Sequence, residues 1–131
     1  MKNTLIALLV SLVAFSANAK DLGQRNIVDP LYYTGTESEK VLVIAGIERN
    51  MHYQYCVAID MCTNSTLRMM EQQELDAFKY LLGIRDLTDN SKSLYKSIVN
   101  TYCVDIDMCT YGTIKMMYNQ EVDKSNQKLK F

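Results

Sequence analysis

Cys56, Cys62, Cys103 and Cys109 are the residues with the most chemistry to offer, and they come as C-x5-C twice. Four thiolates can hold a zinc ion tetrahedrally, but the claws that do so are usually more closely spaced. A redox pair is usually C-x-x-C beside a group that lowers a thiol pKa, and the neighbouring sequence supplies none. An even cysteine count behind an export leader, described below, points instead to structural disulfides. No metal and no cofactor are assigned to the cysteines.

Asp60 and Asp107 occupy matching places in the two segments, with Asp105 as a third carboxylate. Paired carboxylates can do acid–base work or bind calcium, but no D-x-D-x-D-G loop surrounds them. On the flank of a helix they read as solvated charges that a partner could meet. Met69-Met70 and Met116-Met117 carry thioethers, which Cu(I) accepts. Neighbouring helical residues point about 100° apart, so neither pair chelates from one face. Core packing with one methionine partly exposed accounts for them better.

His52 is the one histidine, at the place held by Val99 in the second segment. It is read as a packed ring. With no phosphate loop, no H-E-x-x-H and no nucleophile–base set, no catalytic residue is assigned and no enzyme is expected. Nine tyrosines and no tryptophan remain. Tyr32, Tyr33 and Tyr111 stand beside predicted turns or in the N-terminal arm, where a ring with a wet hydroxyl suits an interface. These three, with Asp60 and Asp107, are the candidate binding residues.

The elements that must position these groups are written twice. Tyr55 to Asp76 returns as Tyr102 to Asp123 at an offset of 47 without a gap, with 14 of 22 positions identical. A fixed period of this size means one supersecondary unit used twice. Thr36 and Glu39 have capping-box spacing, and a first helix is predicted from Glu37 to Cys62. Its stripe is Ile44, Ile47, Met51, Tyr55, Ile59 and Cys62. Tyr53 to Met61 also alternates. The second copy decides for helix, because Leu94, Tyr95, Ile98, Val99, Tyr102, Ile106 and Cys109 form a helical stripe after Ser91. Turns follow at 63–65 and 110–112, with Gly112 as a left-handed residue and Ser65 or Thr66, and Thr113, as caps. Further helices run to Gly83 and to about Leu129. The expected fold is all-α: two tandem αα-hairpins, unit one at about 37–83 and unit two at about 91–129. They form a small disulfide-linked four-helix domain at 37–131 with internal pseudo-two-fold symmetry. Residues 20–36 are an irregular arm lying on it.

On a continuous helix, six residues rise about 9 Å. A disulfide needs Cα atoms within about 7 Å, so a bond inside C-x5-C requires the segment to bend. Two helices packed face to face around Ile59 and Ile106 can instead form two bonds between units. The favoured pairing is Cys56–Cys109 with Cys62–Cys103, and the parallel alternative is Cys56–Cys103 with Cys62–Cys109.

The first 19 residues read as a secretory leader: Lys2, an apolar run from Leu5 to Phe15, and Ala17-Asn18-Ala19 for cleavage. That run is too short to span a bilayer, and no second one follows. The leader looks bacterial, which directs the chain to the periplasm or the exterior. Without Lys2 the formal net charge passes from −1 to −2, with no basic patch for nucleic acid or an anionic membrane. The expected function is a small exported binding protein, an inhibitor or immunity protein that caps a secreted toxin or enzyme. Its partner is another exported or periplasmic protein, and a homodimer is compatible with the same reading. The alternatives are a periplasmic stress or chaperone-like protein with methionine contacts, or a metal-handling protein using cysteine and methionine.

Overall fold

The computed structural model describes residues 21–125. The expected leader, Lys20 and the end of unit two beyond Ser125 lie outside the described residues. Among those described, the chain forms four α-helices: α1 Glu37–His52, α2 Asn64–Leu82, α3 Asp89–Val99 and α4 Tyr111–Ser125. α2 packs against α1 and α4, and α4 against α3. The small all-α architecture is as the periodicity predicts.

Each helix start has a local cause. Thr36 and Glu39 form the full capping box of α1, and Glu39 also accepts from the backbone and hydroxyl of Thr34. These hydrogen bonds, led by that of the Thr34 hydroxyl, hold the Glu39 carboxyl down at about 2. Thr63, Thr88 and Thr110 cap α2, α3 and α4 by accepting from the N–H three residues on. The caps of α2 and α4 are thus the threonines that end C-x5-C-T. They are not Ser65, Thr66 or Thr113, because the turns are shorter than the sequence predicts.

The arm is ordered by two short strands, β1 Asp21–Leu22 and β2 Ile27–Val28, paired antiparallel with Leu22 opposite Ile27. Leu22, Ile27 and Val28 are buried with Val43, Ile47 and Met51 of α1 and with Phe78, Leu81, Ile98 and Ile114. Because β2 packs on α1, the buried stripe of that helix includes Val43, while Ile44 is 42% exposed. Polar anchors fix the arm further. The Tyr95 hydroxyl donates to Asp29 at 2.7 Å, and the Tyr111 hydroxyl to the Val28 carbonyl at 2.6 Å. Burial above all pushes both phenol pKa values up, so both remain donors.

The predicted continuous first helix does not occur. α1 stops at His52 and opens into a π-helical turn, Tyr53–Val57. α3 does the same at Asn100–Asp105. After each turn the chain bends back before the next helix starts. The alternation of Val57, Ile59, Met61 and of Val104, Ile106, Met108 is the sequence signal for those bends.

Candidate interaction surface at the two disulfide loops

The bends bring each C-x5-C together on itself. The disulfides are Cys56–Cys62 and Cys103–Cys109, with Cα separations of 4.5 Å and 4.4 Å. The favoured pairing between units, Cys56–Cys109 with Cys62–Cys103, is therefore wrong. It rested on helical rise, and a segment that leaves the helix after five or six residues no longer has that rise. Both loops are closed by the same backbone bonds. Met61 N–H donates to the Tyr55 carbonyl at 2.9 Å and Met108 N–H to that of Tyr102 at 3.0 Å. Thr63 and Thr110 then donate to Met61 and Met108.

A disulfide-closed loop with an extended side must point some of its side chains outward. Here the apolar ones point out. Val57, Ile59 and Met61 are 64%, 47% and 53% exposed, and Val104, Ile106 and Met108 are 61%, 44% and 52% exposed. Ile59 and Ile106 are thus not the buried contact between units that the stripe predicts. Exposed large hydrophobics are common singly, but three in each of two loops is a pattern.

Arg25 joins the two loops. Its guanidinium forms a two-pronged ion pair with Asp107 of the second and lies 3.6 Å from the ring centroid of Tyr53, at the root of the first. Planar stacking on one side and a forked carboxylate on the other use the whole group. No local sequence pattern marks Arg25, because its partners are far away in the chain.

A cleft of about 410 Å³ runs between the first loop and the start of α4, with Tyr55, Ile59, Met70, Glu74, Thr113 and Met116 among its lining. Glu74 is 5% exposed and its carboxylate accepts from the N–H groups of Tyr111 and Gly112 at 2.8 and 2.9 Å. It thereby serves the positive end of α4. Burial raises its pKa above the ordinary carboxylate value, and the two backbone bonds oppose that rise. Gly112 is a helical residue here, not a left-handed one. A Cβ at its position would lie 2.9 Å from Glu74 Oε1, so the glycine makes room for the carboxylate.

The sequence-predicted binding residues fall in different places. Asp60 is exposed in the first loop, and Asp107 sits in the second, bound to Arg25. Tyr32 is 39% exposed and shares a cleft with Val104, which brings the arm beside the second loop. Tyr33 is half-buried, edge-on to Phe78. Tyr111 is fully buried and is not an interface residue, because its ring fills the core and its hydroxyl reaches the arm. His52 is exposed, not packed. Met69 and Met116 are about half exposed, while Met70 and Met117 pack on the core.

Two disulfides fit an oxidising environment. Among the described residues no helix is long and apolar enough to cross a membrane. No family model, no curated protein and no solved structure matches this chain.

Proposed function

We propose that this chain is a small exported binding protein of the periplasm, built as two tandem αα-hairpin units. It caps another exported protein, a secreted toxin or enzyme, as an inhibitor or immunity protein does. The observation that carries this reading is the pair of disulfide-closed loops, each holding three exposed apolar side chains. A covalent closure limits what a loop loses in freedom on binding, so its apolar contacts convert more fully into affinity. Asp60 and Tyr32 stand at the margin of these loops as polar rim. The partner is a protein with an apolar recess large enough for two loop tips.

The test is affinity capture with the oxidised chain from its own cell envelope, run beside the double variant Ile59→Asp/Ile106→Asp. Both side chains are about half exposed, and a thermal melt checks that the variant folds as the wild type does. Wild type retains one partner in stoichiometric amount, and the variant loses it. A variant that retains the same partner equally well ends the reading.

A further inference from the structure

The two loops differ at one position in a way that changes what their sulfurs can do. Where the second unit has Val99, the first has His52. His52 and Cys62 are exposed and Cys56 is half-buried, and a ring nitrogen of His52 and the two sulfurs all lie within 4.8 Å of one another. The second disulfide has no such access. Cys103 is 5% exposed and Cys109 is 0% exposed, and the Leu22 carbonyl lies 3.9 Å from Cys109 Sγ. Gly23 presses on Cys103 so closely that a Cβ would meet its carbonyl oxygen.

We propose that Cys56–Cys62 is a reducible bond and that its two thiolates, with the imidazole of His52, form a zinc site. Thiol–disulfide exchange needs a thiolate to reach a sulfur in line, which the first bond allows and the second does not. The reductant is a dithiol, which transfers two electrons and two protons. The S–S bond breaks, two protein thiols form, and the dithiol becomes a disulfide. A zinc ion then replaces the two thiol protons, which pass to solvent, and the neutral imidazole nitrogen completes three ligands. A tetrahedral zinc ion holds two sulfurs roughly 3.7 Å apart, given Zn–S bonds of about 2.3 Å. The loop ends, 4.5 Å apart at Cα, stand at the short end of the range for bonded cysteines, so the loop widens to admit the ion. The imidazole nitrogen, within 4.8 Å of both sulfurs, must close to roughly 3.5 Å from each to bind beside them. A fourth position stays open to water or an incoming ligand.

The experiment takes the chain from Lys20 onward, treats it with limiting dithiothreitol, and maps free thiols by alkylation. Cys56 and Cys62 become free first, with the helical signal retained. Titration with zinc ion alone then gives one ion per chain in the reduced protein and none in the oxidised one. His52→Val, which puts at this place the residue found in the second copy, still frees Cys56 and Cys62 first. It weakens zinc binding by at least the roughly 10–100-fold that loss of even an outer-shell partner costs. The proposal falls if Cys103–Cys109 is reduced first or in step, if the reduced chain takes up no zinc, or if His52→Val binds zinc as tightly as wild type.

Discussion

From Tyr55 to Thr63 and from Tyr102 to Thr110, eight of nine residues are the same, and so are the disulfide span and the T-x-x-T cap that follows. Yet one loop keeps its sulfurs at the surface and the other buries them. The cause lies more than 70 residues away in sequence, where Leu22, Gly23 and Arg25 cover the second loop. Asn50 adds a bond from its amide to the Cys109 carbonyl at 3.0 Å. Near-identical local sequence gives closely similar local structure, and the fate of that structure depends on what is laid over it. Glu74 shows the same division. It is buried at the start of α4, whereas Glu121, its counterpart by the repeat, is exposed at the other end of that helix.

The largest expected effect separates the two bonds. Each closes a loop of the same length. The chain-entropy model assigns about 2 kcal/mol to a loop this short. Cys56→Ala/Cys62→Ala should cost about that much in a urea melt. Cys103→Ala/Cys109→Ala should cost roughly 1–3 kcal/mol more, because it also leaves a buried gap under the arm. Equal losses would show that the arm adds nothing to the second loop.

Next come the starts of α2 and α4. Gly112→Ala should cost about 1–3 kcal/mol by displacing the buried Glu74 carboxylate, by the usual cost of overpacking. Ser65→Ala, at the matching exposed position of α2, should stay within about 0.5 kcal/mol. If the two substitutions weigh the same, Glu74 is not a specific support of α4.

The two carboxylates that serve helix starts should respond to pH in opposite senses. Glu39 has its folded pKa lowered to about 2 from 4.5. Its stabilisation is therefore complete above 4.5 and is lost as pH falls toward 2. Glu39→Gln should remove that acid sensitivity and lose about 1 kcal/mol at neutral pH, the usual worth of a cap. Glu74 has its folded pKa raised. Its contribution is greatest below 4.5 and is lost as pH rises through the folded value, so Glu74→Gln should flatten that limb of a stability–pH curve. Parallel responses from the two variants would contradict the burial of Glu74.

The smallest effect is the one that most distinguishes loop from core. Ile59→Ala and Ile106→Ala should each change stability by less than about 0.5 kcal/mol, as exposed positions do. Losses of about 2–5 kcal/mol would instead restore the buried contact between units that helical spacing predicts.

The amino-acid sequence by itself determined the four helices though not where the first ends, the capping box at Thr36 and Glu39, the exposure of one methionine in each pair, and the duplication of the loops. These follow from hydrogen bonds and periodicities among residues within a few positions of one another. The disulfide pairing was nearly legible too. The alternation from Val57 to Met61 marked the bend, but spacing alone could not show that the helix yields there. Only the tertiary structure decided that Tyr111 is core, that Arg25 ties Asp107 to Tyr53, that His52 stands open beside Cys56 and Cys62, and that one of two near-identical disulfides lies under the arm. Burial is a sum over contacts between distant segments, and no pattern within nine residues carries that sum.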